Sequence, residues 1–269
     1  MAGVSAMESG GSKHMGGADR FSKLPVQEQE GYRRVNQQRV TIAQEHAIPI
    51  IFAPPLSVVG GKVNGATGFA LQLSCGSFIV TASHVLAEYE DRLQSGEVLD
   101  WLVGNLQPFD PLSRVAWRHT QKDIVLLGLS PDEINRLKSH CTISAPIQWP
   151  PSTPKEQQLA LVAGYPKVLR EVDAGAGKVG SGPYSAMLPV SNVGAGYFYC
   201  QIDQKDLISF NGGPLPDPGT FLGGLSGGPV LLVEKSYPYP VVGVISQSQD
   251  DWGLLRIASL DGIDEKDFR

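Results

Sequence analysis

Short apolar segments separated by turn-forming residues are the feature that most restricts the fold of this chain. They are rich in Val, Ile, Leu, Phe and Tyr, and the 31 Gly and 20 Pro of the sequence are concentrated between them. This pattern is typical of an all-β protein whose many short strands are joined by loops, and it predicts two barrels or two sandwiches. The segments form two series, at 48–52, 69–73, 78–81, 101–103, 115–117 and 124–129, and then at 159–163, 197–202, 230–233, 241–246 and 254–258.

A proline-rich stretch separates the two series. Residues 149–155 read WPPSTPK, and such a density of proline excludes a sheet interior and favours an extended linker. We therefore predict an N-terminal β-barrel over residues 45–148, a linker over 149–156 and a C-terminal β-barrel over 157–262. Residues 1–25 are predicted to be a disordered tail, because they are largely Gly- and Ser-rich and in part resemble residues left by cloning.

Helical patterns are scarce in this sequence. Residues 84–93 are compatible with one short helix. A second helix is predicted to start at Ser130, which can cap it while Pro131 occupies the first turn.

The charge balance argues against nucleic acid and anionic membranes as partners. The 22 basic and 27 acidic side chains give a net charge of −5, with no long run of either sign. The chain lacks the roughly 18 consecutive apolar residues that cross a bilayer, and it lacks a secretory signal. Three scattered cysteines, Cys75, Cys141 and Cys200, suggest buried free thiols rather than disulfides or zinc ligands. We predict a cytoplasmic protein that needs no metal or cofactor.

A glycine-rich turn late in the chain presents a serine. Residues 224–229 read GLSGGP, and the glycines beside Ser226 allow a tight turn that exposes its hydroxyl. The same turn allows the backbone N–H groups of Gly224 and Ser226 to converge as an oxyanion hole. Because a serine hydroxyl is a poor nucleophile at neutral pH, this interpretation requires a neighbouring base. The alternative is a structural glycine-rich turn between strands.

Two residues of the first half are candidates for the base and the carboxylate that orients it. His84 follows a buried-looking strand and begins a helical stretch, which places its imidazole at a rim rather than in a core. Asp123 opens an apolar strand, where its carboxylate could hold the histidine tautomer, although an Asp before a strand is by itself usually a turn residue. The other histidines after the tail are flanked by polar residues and are predicted to lie at the surface: His46, His119 and His140.

Three sequence blocks resemble the signature blocks of trypsin-like serine peptidases, which have the chymotrypsin fold. The blocks are TASH at 81–84, DIVLL at 123–127 and GLSGGP at 224–229, in that family's His, Asp, Ser order. The resemblance implies two packed six-stranded β-barrels with the active site in the cleft between them. It also implies that Ser226 is the nucleophile, His84 the general base and Asp123 its orienter, with an acyl-enzyme that water hydrolyses.

Two departures from the secreted animal members of this family concern activation and disulfides. Leu225 stands where their zymogens use an Asp to bind a new N-terminal ammonium, so activation by N-terminal trimming is not expected. Val85 stands where they have a half-cystine. The resemblance is therefore to the intracellular or bacterial-type branch.

The resemblance also implies substrate-binding residues. Thr220 corresponds to the floor of the primary pocket, Ser246 to the substrate-binding strand and Ser248 to the pocket entrance. A neutral, hydroxyl-lined pocket disfavours Arg or Lys at the cleavage position unless Asp217 reaches it. We therefore expect small or uncharged side chains there.

These observations predict a serine endopeptidase that acts on protein or peptide substrates. Two alternatives stay open. One is a catalytically silent binding module with the same fold. The other is a protease whose oxyanion loop is ordered by an activating protein partner.

Overall fold

β-Strands dominate the described part of the chain. The structure is a computed structural model, which describes residues 21–55, 62–173, 178–202, 223–249 and 253–268. The strands are β1 (Ala47–Ala53), β2 (Asn64–Leu73), β3 (Gly76–Thr81), β4 (Asp100–Val103), β5 (Val115–His119), β6 (Ile124–Leu129), β7 (Leu159–Gly164), β8 (Arg170–Asp173), β9 (Lys178–Ser181), β10 (Tyr184–Gly194), β11 (Tyr197–Gln201), β12 (Pro229–Leu232), β13 (Val241–Gln249) and β14 (Leu254–Ser259). The α-helices are α1 (Val26–His46), α2 (Ser83–Gln94) and α3 (Pro131–Leu137).

The first six strands form one curled antiparallel sheet in the order β4-β1-β2-β3-β6-β5. Successive side chains of a strand point to opposite faces of the sheet. On one face, Ile79 and Leu127 pack in a cluster with Leu86 of α2. On the other face, Val80 and Leu126 pack towards the second half of the chain. Because both faces are covered, β6 is continuously apolar instead of alternating.

Six strands of the second half close into a barrel in the order β10-β11-β14-β13-β12-β7. Phe198, Val230 and Ile257 lie in its interior, and Leu225 from the glycine-rich turn joins the same cluster. β8 and β9 form a separate two-stranded hairpin.

A shared apolar core joins the two halves. It contains Val80 and Leu126 from the first sheet together with Leu161 and Leu231 from the barrel. Helix α1 adds Val40 and Ala43 to this core and contacts β7, β10 and β12. The cleft between the sheets is therefore held by packing that involves both halves and the N-terminal helix.

The all-β class and the arrangement of two six-stranded sheets are confirmed, with the second sheet a closed barrel and the first curled. β6 ends at Leu129 and β7 begins at Leu159, so the two strand series lie on either side of the predicted linker. No helix in the described ranges is long and apolar enough to span a membrane.

Helix α1 was not expected from the sequence. Its buried positions are Asn36, Val40, Ala43 and His46, a stripe of polar and small residues that lacks the apolar periodicity of an amphipathic helix. The folded chain also begins earlier than the predicted tail boundary at residue 25, because Phe21 is buried beside the ring of Tyr32. Residues 1–20 of the predicted tail lie outside the described residues.

Strand β10 was also missed by the strand pattern. Ala186, Leu188 and Val190 point into the barrel, whereas Pro189 between them is exposed. A proline inside a run normally demotes it to an edge or to non-strand because it lacks an N–H. The strand continues through Pro189 because this residue pairs with Leu159 of β7, whereas the pairing with β11 begins only at Val190.

The two helices predicted from local signals are present. α2 covers the expected stretch around His84. At the start of α3, the Ser130 hydroxyl accepts a hydrogen bond from the N–H of Glu133, whose carboxylate accepts one from the N–H of Ser130. This capping box pairs backbone groups that would otherwise lack partners at the helix end.

The predictions that His46 is exposed and that all three cysteines are buried need correction. His46 is buried rather than exposed, and its Nδ1 lies 2.8 Å from the Ser144 hydroxyl. Its polar sequence neighbours misled the prediction, because the end of α1 is covered by a segment far away in the chain. Of the three cysteines, Cys200 is buried, Cys141 is half-buried and Cys75 is exposed, and all are free thiols.

Candidate active site

A cleft of about 540 Å³ between the two sheets brings the three predicted catalytic residues together. His84 and Asp123 come from the first sheet and its helix α2, and Ser226 comes from the turn before β12. The residues that line the cleft are His84, Thr120, Gln121, Asp123, Gly223, Leu225, Ser226, Ile245, Ser246, Gln247 and Arg256.

Asp123 lies in the tight turn between β5 and β6. Its φ of 59° is in the left-handed region, which Asp tolerates better than most residues. From there Oδ1 accepts a hydrogen bond of 2.9 Å from the N–H of His84. α2 has Ala82 at its N-cap and no side-chain cap, so the carboxylate pairs a first-turn N–H and lies at the positive end of the helix dipole. The helix that carries His84 thus also holds its carboxylate partner.

The second oxygen of Asp123 binds two side chains. Oδ2 lies 2.8 Å from Nδ1 of His84 and accepts a 2.6 Å hydrogen bond from the hydroxyl of Ser246. Burial opposes ionisation of Asp123, but hydrogen bonds from His84 and Ser246 outweigh it and hold the pKa of this carboxyl below its ordinary value. An ionised carboxylate can only accept, so Nδ1 carries the proton in neutral His84 and Nε2 has a free lone pair.

The turn that carries Ser226 requires glycine for both conformation and space. Gly224 has a φ of 101° and Gly227 a φ of 88°, a region that side-chain-bearing residues rarely adopt. A Cβ on Gly224 would meet the carbonyl oxygen of Tyr165 at 2.8 Å, and one on Gly227 would clash with the carbonyl oxygen of Thr67. These contacts hold the turn tightly against both halves of the molecule.

The assignment of the Gly224 and Ser226 N–H groups as oxyanion-hole donors stays a prediction. In the ranges that the structure describes, neither the N–H of Gly224 nor that of Ser226 donates a hydrogen bond to the backbone. Within the same ranges, no hydrogen bond joins the Ser226 hydroxyl to His84. Such contacts are often long before substrate binds and shorten in the reacting complex.

Thr67 of β2 connects the first sheet to the nucleophile turn, and the sequence did not indicate this role. Its hydroxyl donates to the carbonyl of Gly224 at 2.8 Å and accepts from the N–H of Tyr165 at 2.9 Å. Its own N–H donates to the carbonyl of Ser226 at 2.9 Å. This fully buried threonine therefore positions the turn relative to β7 and the first sheet.

The predicted substrate-binding residues fall into two groups. Thr220, like Asp217, lies outside the described residues, and so does the side chain of Ser248, whose backbone belongs to β13. Ser246 lines the cleft, but its hydroxyl is bound to Asp123. The substrate-binding assignments of all three residues stay predictions.

Six residues that line the cleft were not singled out from the sequence: Thr120, Gln121, Gly223, Ile245, Gln247 and Arg256. A signal for Arg256 was present, since it is a single charged residue within the apolar segment LLRIA at 254–258. In a barrel strand such a residue faces outward while its neighbours face the core. Its sequence neighbours do not indicate which part of the outer barrel surface it lies on.

No protein-family model matches this chain, and no curated protein matches it. Solved structures do resemble it. A catalytically inactive tobacco etch virus protease in complex with substrate has a TM-score of 0.42 and 11% identity, covering 80% of this chain and 78% of that chain. The protease Anisep from Arthrobacter nicotinovorans has a TM-score of 0.44 and 14% identity, covering 81% and 90%. HBP has a TM-score of 0.44 and 15% identity, covering 79% and 85%.

Similarity at this level assigns no activity or substrate to this chain. The topology itself describes the architecture: two six-stranded antiparallel sheets, one closed, with a cleft between them. The fold is chymotrypsin-like. The fold that the sequence blocks implied is therefore present.

Proposed function

We propose that this chain is a serine endopeptidase with Ser226 as nucleophile, His84 as general base and Asp123 as the residue that orients it. The observation that carries this proposal is the Asp123–His84 pair, 2.8 Å apart, in the same cleft as Ser226. In a Ser-His-Asp triad the carboxylate binds Nδ1 of the imidazole and leaves Nε2 for the nucleophile, and Asp123 binds Nδ1 of His84 in this way.

The proposed reaction follows from these positions. The Ser226 hydroxyl oxygen attacks the substrate carbonyl carbon while Nε2 of His84 takes its proton, and the N–H groups of Gly224 and Ser226 stabilise the resulting oxyanion. His84 then returns the proton to the leaving amine, which produces the acyl-enzyme. A water molecule, deprotonated by His84, hydrolyses the ester and restores the Ser226 hydroxyl.

Leu225 supports activity without N-terminal processing. Its side chain is buried in the interior of the barrel, so apolar packing anchors the turn at the position where zymogens of this family use an ion pair. In this proposal, no new N-terminal ammonium is needed to order the turn.

A fluorophosphonate probe tests the proposal because it forms a covalent bond only with an activated serine. We expect the wild-type chain to be labelled, Ser226→Ala to be unlabelled, and Asp123→Asn to be labelled about 10³-fold more slowly because the imidazole adopts the wrong tautomer. Asn tolerates the left-handed backbone at this position as Asp does. Ser139→Ala, at an exposed serine, is the control that should match wild type. Equal labelling of wild type and Ser226→Ala would exclude Ser226 as the nucleophile.

A partner-activated or silent form of the same fold is the competing function. In that form, the hydrogen bond between Ser226 and His84, which is not among those of the described residues, would form only with a partner or not at all. If the isolated chain resists the probe and becomes labelled at Ser226 only when cell extract is added, the partner-activated form is correct. If labelling is absent in both conditions although the fold is intact by circular dichroism, the chain is a binding module.

A further inference from the structure

One guanidinium lies among the described residues that line the cleft. Arg256 of β14 shares this surface with His84, Ser226 and Gln247. Its charge is present at any physiological pH. The cleft thus contains a permanent cation beside the proposed catalytic residues, in a chain whose net charge is −5.

The barrel register determines where Arg256 points. Leu255 and Ile257, its neighbours in β14, are buried in the barrel interior, so Arg256 faces outward. It is paired across β13 with Gln247, which also lines the cleft, and across β11 with Tyr199. Because β13 continues from Ser246, which binds Asp123, Arg256 lies on the strand next to the one that reaches the proposed triad.

An aromatic ring supports the guanidinium. The Arg256 Cζ lies 5.1 Å from the ring centre of Tyr197, which in turn packs edge-on against Tyr199. A cation on an aromatic face is held in place and stays weakly hydrated. The group is therefore oriented in advance by the ring beneath it.

No described carboxylate neutralises Arg256. Among the residues that the structure places, Arg92, Arg114 and Arg118 each form an ion pair with a glutamate, whereas Arg256 forms none. The described carboxylate of the cleft, Asp123, is already bound by His84 and Ser246. A guanidinium held against an aromatic ring at the cleft wall binds a ligand carboxylate favourably, since Arg presents two parallel donors to it.

From these contacts we infer that Arg256 selects peptide substrates with a carboxylate at a fixed distance from the scissile bond. The inference deepens the proposed endopeptidase function and rests on it for turnover. Thr220, on which the expectation of an uncharged side chain at the cleavage position rests, lies outside the described residues, so the test scans every substrate position. The carboxylate can belong to an Asp or Glu side chain or to a substrate C-terminus, and both present the same chemistry to Arg256.

Cleavage of a proteome-derived peptide library by the wild type and by Arg256→Gln is the first arm of the test. The wild type should prefer Asp and Glu about tenfold over Gln and Asn at one position relative to the cleavage site, as expected for a charge-assisted hydrogen bond. Arg256→Gln should lose this preference, and Arg256→Glu should prefer Lys or Arg there. If peptides are cut only near their free C-termini, and are no longer cut once those termini are amidated, the substrate C-terminus supplies the carboxylate that Arg256 binds.

Binding without turnover is the second arm, and it separates the two proposals. Hexapeptides that carry a single Glu, placed at each position in turn, are titrated with Ser226→Ala and followed by fluorescence anisotropy. At one position the Glu peptide should bind about tenfold more tightly than the matching Gln peptide. The double variant Ser226→Ala, Arg256→Gln should bind both peptides equally. If the probe labels no serine but this difference persists, the endopeptidase proposal fails and the Arg256 inference stands.

Arg136→Gln provides the matched control, because it removes the same charge from an exposed residue of α3 outside the cleft. It should leave the acidic preference unchanged. The inference is overturned if neither cleavage by the wild type nor binding by Ser226→Ala shows an acidic preference. It is overturned equally if Arg256→Gln retains that preference, or if Arg136→Gln weakens it as much.

Discussion

Gly227, directly after the proposed nucleophile, shows how closely single residues are constrained at this site. Its φ of 88° lies in the left-handed region, and a Cβ there would clash with the Thr67 carbonyl and the Thr81 hydroxyl. A side chain at position 227 would therefore be both conformationally strained and sterically crowded.

We expect Gly227→Ala to lower the free energy of unfolding by about 3 kcal/mol or more, because overpacking and a left-handed alanine each cost about 1 to 3 kcal/mol. Gly262→Ala is the matched control, since Gly262 has a φ of 65° and open space around its Cα. That control should cost only about 1 kcal/mol, the conformational part alone. Urea denaturation measures both variants, and equal losses would show that the crowding at Gly227 is absent.

His46 makes stability depend on pH. Burial lowers the pKa of His46 to about 4, whereas in the unfolded chain it is about 6.5. Between these values the unfolded state binds more protons, so the free energy of unfolding should rise from pH 4 to pH 6.5 by about 3 kcal/mol and then level off. Asp123 acts in a lower window, since its pKa is depressed and its contribution is lost only below its ordinary value of 3.8.

Urea denaturation at several pH values between 4 and 7.5 tests the contribution of His46. His46→Gln should remove most of this slope, whatever its effect on stability at pH 7.5. His140→Gln, at an exposed histidine, should keep the slope. A wild-type profile that is flat between pH 4 and 6.5 would contradict a buried, neutral His46.

At the scale of secondary structure, helix α1 allows the contribution of tertiary packing to stability to be measured separately from that of helix propensity. Val40 is 6% exposed and packs in the shared core, whereas Val35 is 47% exposed on the same helix. Val40→Ala should lower the free energy of unfolding by about 2 kcal/mol through the cavity it leaves. Val35→Ala should cost nothing measurable or stabilise slightly, because alanine is the better helix former.

Thermal or urea unfolding of the two valine variants gives the comparison directly. If both behave alike, α1 is not docked on the barrel as described. The comparison matters because the polar stripe of α1 carries almost no sequence signal of burial. Asn36 and His46 are buried on it beside Val40 and Ala43, and only the barrel that it covers explains why.

Strand prediction succeeded where the strand is a continuous apolar segment. The apolar segments of β3 and β6 are recognisable because both faces of their sheet are covered. It failed for β10, where an exposed Pro189 interrupts the pattern although the strand pairs with β7 and β11. The capping signal of α3 at Ser130 was read correctly because a capping box involves only four consecutive residues.

At the scale of the whole molecule, Thr67 connects the two halves by hydrogen bonds at the proposed active site. Its hydroxyl binds Gly224 and Tyr165, and its N–H binds the carbonyl of Ser226. Thr67→Val keeps the shape but leaves the part-buried carbonyl of Gly224 and the part-buried N–H of Tyr165 without the hydroxyl as partner. We expect a loss of about 3 kcal/mol in the free energy of unfolding and at least about a tenfold slower reaction with the fluorophosphonate probe, because the turn is no longer held in register.

Thr67→Ser is the control for the loss of the Thr67 hydroxyl. It keeps the hydroxyl and removes one methyl group, so it should cost about 1 kcal/mol and label at nearly the wild-type rate. If Thr67→Val labels as fast as Thr67→Ser, Thr67 has a structural role only and does not position the nucleophile turn.

The sequence by itself determined the strand-rich class, the division into two strand series and the candidates Ser226, His84 and Asp123. Those features are local, since strand periodicity, a glycine-rich turn and a helix start each involve a few consecutive residues. Only the tertiary structure decided that Ser246 binds Asp123, that His46 is buried against Ser144 and that Thr67 holds Gly224. These partners are 123, 98 and 157 residues apart in the chain. Contacts over such separations depend on how the two sheets pack, which no local pattern encodes, and the same holds for the cleft that Arg256 enters.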